Sequence, residues 1–391
     1  MISPFTFTTV PQIIFGQKKI DDLPTIVMPF GQKILFVLGS NSFTKKDVWS
    51  KLKSGLRKNC VEYETVHIQS EPSPEIIDTI VANNRDHKPD VIVAIGGGST
   101  LDAGKALSAM VMEDGGVSQF LESIGTKKVS GRKAPFIAIP TTAGTGSEAT
   151  NNAVLSSVGE DGFKKSLRHK NYFPDIALID PELALSCPKD LTIACGMDCF
   201  SQLVEAYLST NSNTMTDGLA FDGLKAIQRS LRRVCTDGSN LAARADMAYA
   251  TLISGMVLSN AGLGAVHGFA ATIGGFFNIP HGIVCGTLMG ATNRATLESL
   301  RRSSPNDIAL TKYSQLGELF TASTDKSAGW YQDSFINELE TLTADFKIPA
   351  LNNFGLELND FAKIAENTDN KYNPATLNRE ELSEILVCRL S

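Results

Sequence analysis

Two histidines lie in a stretch of the chain that carries no charged side chain. Residues 247–293 contain no Asp, Glu, Lys or Arg, and His267 and His281 lie within them. A buried neutral imidazole needs a partner, and a metal ion is a common one. A hydrogen bond to the backbone would serve as well, and for each histidine taken alone this is the better-supported interpretation.

Asp198 adds an anionic oxygen to these candidates. It precedes Gln202 by four residues in an apolar helical segment, so the two side chains share one helix face. One carboxylate and two imidazoles leave positions on a divalent ion open, which is typical of a catalytic metal site. The alternative is that Asp198 only caps the helix. We take Asp198, Gln202, His267 and His281 as candidate metal ligands.

A glycine-rich turn forms a second candidate site. Gly96, Gly97 and Gly98 follow the apolar run 91–95, and Ser99 then stands where a helix N-cap is expected. Glycines let the backbone approach a ligand closely, and a helix N-terminus attracts phosphate. The spacing is not G-x-G-x-x-G, so the dinucleotide motif does not apply as written. A tight turn without a ligand is the alternative.

A loop of small residues follows another predicted strand. Residues 140–148 read PTTAGTGSE and carry the hydroxyls of Thr141, Thr142, Thr145 and Ser147. Ligands of parallel α/β sheets bind at the carboxyl ends of the strands. Together with the glycine turn, this loop predicts a nucleotide cradle. Two surface loops without a ligand remain the alternative.

Gly39 ends the first predicted parallel strand, where a carboxylate commonly binds the adenosine ribose of NAD. Here Gly39 is followed by Ser40 and Asn41, without an acid. An acid would repel a 2′-phosphate, whereas these residues admit one. The segment therefore favours NADP(H) over NAD(H), unless Gly39 only permits a tight turn.

The first half of the chain must position the nucleotide, and the second half the metal. Strand and helix signals alternate up to about residue 184, which predicts a parallel sheet covered on both faces. The predicted strands are 34–39, 63–68, 91–95, 136–139 and 176–179. The predicted helices are 43–56, 74–83, 101–112, 195–208, 217–234, 241–259, 283–297 and 308–320. We predict a nucleotide-binding α/β domain over 1–184 and a helical metal- and substrate-binding domain over 185–391.

Composition excludes several classes of protein. The 391 residues are 42% hydrophobic and 20% charged, with a net charge of -6 and no basic run, so we expect no nucleic-acid partner. The uncharged stretch is interrupted by Asn260 and Pro280, which favours buried helices over a membrane span. Seven scattered cysteines without a CxxC pair are typical of a reducing compartment, and we expect a cytoplasmic protein.

Five segments in order resemble the iron-containing (group III) alcohol dehydrogenase family, which has a dehydroquinate synthase-like fold. They are GGGSTLDAGK (96–105), PTTAGTGSE (140–148), IDPEL (179–183), GMDCFSQLVEAYLS (196–209) and VHGFAATIGGFFNIPHG (266–282). The resemblance covers nearly the whole chain. It implies an N-terminal nucleotide-binding domain, a helical C-terminal domain and a metal between them. It also implies NAD(P)-dependent interconversion of small alcohols and aldehydes by a homodimer.

The resemblance also implies a ligand set. The family pattern is an Asp, a His four residues on, and two further His fourteen apart. Asp198, His267 and His281 match and are the implied catalytic residues, whereas Gln202 stands where the first His is expected. An amide oxygen is a poorer ligand than imidazole for Fe²⁺ or Zn²⁺. The related glycerol dehydrogenases manage with one Asp and two His. Ala271 replaces a histidine that relays protons in many members.

Cofactor contacts follow from the same resemblance. It assigns Gly97, Gly98 and Ser99 to the pyrophosphate, Thr141, Thr142, Thr145 and Ser147 to the adenosine and phosphates, Lys164 to the cofactor, Asp102 to the region of the nicotinamide, and Gly39 to NADP use. Three alternatives stay open: a dehydroquinate-synthase-like enzyme, a glycerol-dehydrogenase-like enzyme, and a metal-free nucleotide-binding sensor. The last is suggested by Gln202 and Ala271.

Overall fold

The first half of the chain folds around a parallel sheet. The computed structural model describes residues 2–39, 43–85, 88–321 and 323–391. These residues form eight strands: β1 Gln12–Phe15, β2 Lys33–Leu38, β3 Glu62–His67, β4 Val91–Gly96, β5 Phe136–Pro140, β6 Asn152–Ser157, β7 Phe163–Arg168 and β8 Ile176–Ile179. Six of them form one sheet in the order β1-β8-β5-β4-β2-β3, all parallel, and β6 and β7 form an antiparallel hairpin.

The second half of the chain is helical, from Lys189 onwards, and, in the part of the chain that the structure describes, four further α-helices accompany the sheet of the first half. The α-helices of the described residues are α1 Leu23–Ile26, α2 Asp47–Lys58, α3 Pro74–Asn84, α4 Gly98–Met110, α5 Lys189–Leu208, α6 Thr214–Thr236, α7 Leu241–Ala261, α8 Ala265–Phe276, α9 His281–Ser303, α10 Ile308–Thr321, α11 Ala328–Asp345, α12 Phe361–Asn367 and α13 Arg379–Val387. The last strand ends at Ile179 and the long helices begin at Lys189, so the predicted domain boundary at 184/185 falls in the segment between them.

The sheet is buried on both faces, as its uninterrupted apolar strands predict. In β2, Leu35 and Val37 pack into the core on the α3 and α4 side. Ile34 and Phe36 of the same strand pack against Trp49 of α2 on the opposite side. The predicted class, an α/β domain with a parallel sheet followed by an all-helical domain, is confirmed.

The sequence did not indicate every element. β1 is a four-residue edge strand that pairs with β8, about 160 residues further along the chain, so its neighbours in sequence carry no sign of it. The β6–β7 hairpin alternates polar and apolar residues and lies outside the sheet. The sequence pattern also did not predict α8 or α11 as separate helices. Each of the predicted strands is present, with bounds that differ by a residue at most.

Three strands end at the same edge of the sheet. The register pairs Leu38 of β2 with Ile95 of β4, and Gly96 with Pro140 of β5. Gly39, the glycine turn and the 140–148 loop therefore leave the sheet side by side, as expected for ligand-binding loops of a parallel sheet.

Helix α7 is long and apolar enough to cross a membrane by length and composition, the one such helix among the described residues. Its most apolar window is 61% buried inside the protein. Ala250, Ile253 and Val257 of this helix pack with α5 and α6 in the largest apolar cluster of the helical domain. The buried helix expected in this part of the chain is thus present.

Candidate metal and cofactor site

Helix α5 carries two buried carboxylates and a buried amide on one face. Asp198, Gln202 and Glu205 are spaced by four and three residues and are exposed by 2%, 3% and 6%. The rest of the helix packs against apolar neighbours on α6, α7 and α9. Because burying a polar group without a partner is costly, this face must be satisfied by other polar groups or by a ligand.

Helix α9 brings His281 to this face because it begins unusually close to α5. His281 is the first residue of α9, after Pro280. The next residue is Gly282, where a Cβ would lie 2.1 Å from the carbonyl oxygen of Ala194 on α5. Only glycine permits this approach, which places the start of α9 one turn from Asp198.

Three side chains converge on Asp198. Its Oδ1 lies 3.2 Å from Nε2 of His267, 3.7 Å from Nε2 of His281 and 3.8 Å from Sγ of Cys285. The four donor atoms all lie within 4.8 Å of one another. The structure thus brings together the carboxylate and both imidazoles singled out in the sequence. Cys285 was missed, although its spacing of four residues from His281 puts both on one face of α9.

Glu205 orients His267 and was also missed. One carboxylate oxygen accepts a hydrogen bond from the backbone N–H of Val266 at 2.7 Å, at the start of α8. The other lies 2.5 Å from Nδ1 of His267. A carboxylate bonded to one ring nitrogen leaves the other nitrogen directed at the ligand cluster, the usual second partner of a metal-binding histidine. The sequence signal for Glu205 was its position seven residues after Asp198, which puts both carboxylates on one helix face.

The electrostatics favour an ionised Asp198 and a neutral His281. Burial acts to raise the pKa of Asp198, but His281 and His267 outweigh it and hold this pKa below its usual value. Burial and the positive charge of Lys164 lower the pKa of His281 to about 4, so it is neutral at pH 7. Burial opposes the charged form of His267, whereas the Cys285 thiol and Glu205 favour it, and the net pKa of His267 is raised. Burial raises the pKa of Cys285 to about 11 in the absence of an ion.

Gln202 presents its amide nitrogen to the cluster. The nitrogen donates to Oδ1 of Asp198 and to the carbonyl oxygen of Thr145, both at 3.3 Å. Its buried amide oxygen has no hydrogen-bond partner among the described residues. In this orientation Gln202 holds Asp198 in place, and its role as a metal ligand stays a prediction.

The glycine turn and the metal-ligand candidates open onto one cleft of about 690 Å³. Gly98 and Ser99 line it on the sheet side, and Asp198, His267 and His281 on the helical side. A Cβ on Gly96 would lie 2.4 Å from Thr100, and one on Gly98 would lie 2.5 Å from Thr145. Both glycines are therefore required by packing at the point where the two predicted cofactor loops meet.

Asp102 and Ser147 both line the cleft, and a hydrogen bond connects them. The hydroxyl of Ser147 donates to Asp102 at 2.5 Å, and the backbone N–H of Val154 donates to the other carboxylate oxygen. The ammonium of Lys105, almost fully buried, donates to the carbonyl oxygen of Ser147 at 2.8 Å. Burial raises the pKa of Asp102 against the effect of Lys105, and lowers the pKa of Lys105 to about 8.

Lys164, on β7, reaches the cleft and pairs with Glu71 at 2.6 Å. The remaining predicted cofactor residues lie at the strand ends without lining the main cleft: Gly39, Gly96, Gly97, Thr141 and Thr142. The N–H of Thr141 bonds the carbonyl oxygen of Gly96, and the N–H of Gly39 that of Ile95. Ser40 and Asn41 lie outside the described residues, and the roles of all these residues stay predictions.

The cluster fits a divalent transition metal. It offers one carboxylate, two imidazoles and a thiol, the groups that bind Zn²⁺ and Fe²⁺. It faces a cleft whose other wall is a glycine turn at a helix N-terminus, which suits a pyrophosphate. A candidate metal site opposite a candidate pyrophosphate site is the arrangement expected of a metal-dependent nicotinamide oxidoreductase.

Comparison with known proteins agrees with this class. Residues 11–181 match the profile of the iron-containing alcohol dehydrogenases, and residues 192–389 match the C-terminal domain of the Fe-containing alcohol dehydrogenase family. Long-chain-alcohol dehydrogenase 1 of Geobacillus thermodenitrificans is 33% identical over 89% of this chain and 87% of its own length. NADPH-dependent butanol dehydrogenase of Clostridium saccharobutylicum is 28% identical over 98% and 97%. A crystal structure of 1,3-propanediol oxidoreductase superposes with a TM-score of 0.88 at 30% identity, covering 99% of this chain and 100% of that one.

The chain belongs to the iron-containing alcohol dehydrogenase family. It is an NAD(P)-dependent oxidoreductase that acts on CH–OH groups, and the family uses a divalent metal. This membership favours the dehydrogenase over the dehydroquinate-synthase-like and sensor alternatives.

Proposed function

We propose that this protein reduces small aldehydes with NADPH, and oxidises the corresponding alcohols, at a divalent ion held by Asp198, His267 and His281. The observation that supports this is the single cleft shared by these three side chains and the glycine turn. A bound divalent ion supplies Lewis-acid activation of the substrate oxygen.

The residues of the chain position the cofactor and the substrate, and they exclude water from the reaction. The glycine turn would hold the pyrophosphate of a bound dinucleotide in the cleft that the candidate metal ligands also line. Leu258 and Leu263 of the helical domain line the same cleft and contribute apolar surface to it. A bound nicotinamide would accept hydride from the alcohol carbon, or return it to the aldehyde. Ala271, which lines the cleft, has no titratable group, so we propose that the alcohol proton leaves through water.

The test is a reduction assay on metal-loaded protein. Protein incubated with Zn²⁺ or Fe²⁺, NADPH and a series of aldehydes of increasing chain length should lower the absorbance of reduced nicotinamide. Activity with the shortest aldehydes and a decline with chain length would support a small substrate. Flat absorbance across the series with either metal would contradict the proposal.

For the cofactor, the expectation concerns Gly39. A Cβ at this position would lie 3.2 Å from the hydroxyl of Thr100, so a side chain fits after a shift of a few tenths of an ångström. We expect Gly39→Asp to lower the preference for NADPH over NADH by about 10- to 100-fold, roughly 1.4–2.8 kcal/mol, because a carboxylate repels the 2′-phosphate. The ratio of kcat/KM values for the two cofactors measures this.

The matched control is Gly39→Asn, which has the same shape without the charge. It should leave the cofactor ratio much closer to that of the unaltered protein. An unchanged ratio in Gly39→Asp would remove the argument for NADP.

A further expectation concerns Glu205. In Glu205→Gln, the amide can still accept from Val266, but its NH₂ group then faces Nδ1 of His267. This favours the ring tautomer with the proton on Nε2, which cannot bind a metal. We expect metal affinity to fall by about 10- to 100-fold, measured by competition with a chelator. The exposed Glu64→Gln on β3 is the control, and equal affinities in the two variants would contradict the orienting role.

We propose a cytoplasmic homodimer. The seven cysteines are all free, which is typical of a reducing compartment. β1 is an edge strand whose Ile13 and Phe15 are 38% and 39% exposed. An exposed apolar edge strand is a template for pairing with a second copy. The mass in solution by light scattering tests the dimer, and a monomer would contradict it.

A further inference from the structure

We propose that Cys285 is a fourth protein ligand of the metal and that its thiolate makes Zn²⁺ the preferred ion. This inference rests on the proposed metal site and identifies which groups complete it. The family pattern predicts an imidazole ligand at position 202. In this chain, a thiolate from a different helix would take its place.

The distances fit one ion. In a tetrahedral site with nitrogen and oxygen ligands at about 2.0–2.1 Å, neighbouring ligand atoms lie about 3.3 Å apart, and about 3.6 Å apart when one is a sulfur at about 2.3 Å. Sγ of Cys285 lies 3.8 Å from Oδ1 of Asp198 and 3.8 Å from Nε2 of His267. Nε2 of His267 lies 3.2 Å from the same carboxylate oxygen. These three donor atoms therefore have separations close to those of a metal's coordination shell, and the fourth, Nε2 of His281, lies 3.7 Å from Oδ1 of Asp198.

The surroundings of Cys285 are not those of a purely structural cysteine. Its side chain is fully buried, with its sulfur directed at a carboxylate and an imidazole rather than at apolar atoms alone. Its position on α9 is fixed: Gly286 follows, and a Cβ there would lie 3.1 Å from the Cβ of Met197. The close contact of α9 with α5 thus holds the thiol beside Asp198.

Gln202 does not provide the fourth ligand, so this ligand position is open to the Cys285 thiolate. Its amide nitrogen, not its oxygen, faces Asp198. An N–H donor supports the carboxylate but cannot coordinate a cation. We infer that Gln202 orients Asp198 and that Cys285 provides the missing donor.

Four protein ligands still leave room for substrate. Asp198, Gln202, His267 and His281 line the cleft, whereas Cys285 lies behind them. Cys285 would hold the ion from the side away from the cleft, so a substrate could still approach as a fifth ligand, a coordination that catalytic Zn²⁺ can adopt. A soft thiolate favours Zn²⁺ over Fe²⁺, and binding of the ion displaces the thiol proton.

The decisive measurement is the coordination shell of the unaltered protein. X-ray absorption at the zinc edge of Zn²⁺-loaded protein should show one sulfur at about 2.3 Å beside nitrogen and oxygen ligands. The Co²⁺-loaded protein should show a thiolate-to-metal charge-transfer band in the near ultraviolet. A shell of nitrogen and oxygen only would overturn the inference, and this measurement needs no variant that has to fold.

Two variants assign the sulfur. Cys285→Ser should lose the charge-transfer band and weaken Zn²⁺ binding by more than about 100-fold, since loss of an outer partner alone costs about 10- to 100-fold. Cys199→Ala is the matched control: Cys199 is equally buried on α5 but lies against Thr251 and Ser254. It should keep the band. A band that persists in Cys285→Ser, or disappears in Cys199→Ala, would overturn the inference.

Aldehyde reduction by the same Zn²⁺-loaded sample separates the two proposals. Activity together with a sulfur-free shell would leave the dehydrogenase proposal standing and reject Cys285 as ligand. A sulfur ligand in a protein that reduces no aldehyde would support the ligand and reject the proposed activity.

Discussion

His281→Ala is expected to abolish both metal retention and alcohol oxidation while leaving dinucleotide binding largely intact. The imidazole is the first side chain of α9 and lies 3.7 Å from Asp198, so its loss removes one ligand at the cleft. Lewis-acid activation contributes several kcal/mol, and each 1.4 kcal/mol is about tenfold, so we expect a decrease in kcat/KM of about 1,000-fold or more. Metal content by elemental analysis and NADPH affinity by fluorescence titration measure the two effects separately.

The control for this variant is His169→Ala. His169 lies near Gly131 and makes a tilted ring contact with Tyr172, outside the cluster and the cleft. It should retain metal and activity. Unchanged metal content in His281→Ala would show that His281 is not a ligand, and lost NADPH binding would show that the two sides of the cleft are not independent.

The sequence predicted those parts of the site that rest on local spacing. Asp198 and Gln202 share a helix face, and Gly96–Gly98 sit between a strand and a helix, so both patterns could be interpreted without tertiary structure. That His267 and His281 meet at Asp198 could not be deduced from spacing. It depends on the approach of α9 to α5 that Gly282 permits; the residue types suggested a shared metal site, and the family resemblance supported it.

The residues that the sequence did not reveal are those whose role depends on a partner distant in sequence. Glu205 is one acid among many until α8 places the N–H of Val266 and the ring of His267 against it. Lys164 was assigned to the cofactor, but its pairing with Glu71 joins residues 93 positions apart. β1 was missed for the same reason, since its partner β8 lies at the other end of the domain.

Gly98→Ala is expected to impair dinucleotide binding strongly, because Gly98 both lines the cleft and contacts the 140–148 loop. The new Cβ would lie 2.5 Å from Cγ2 of Thr145, a separation that real Cβ atoms essentially never show, so the glycine turn and the 140–148 loop must move apart. A displacement of about 1 Å at a bound substrate can cost about 100-fold, and we expect the KM for NADPH to rise by about that factor with metal content unchanged. Alanine is the better helix former, so helix propensity alone would predict no loss.

Two variants make this expectation specific. Gly218→Ala on α6 adds the same methyl where no atom lies within 4 Å, and it should leave the KM unchanged. Adding Thr145→Ser to Gly98→Ala removes the methyl that makes the shortest contact and keeps the hydroxyl, so part of the affinity should return. If Gly98→Ala binds NADPH normally, the glycine turn is not the cofactor cradle, and the cleft must hold the dinucleotide in another way.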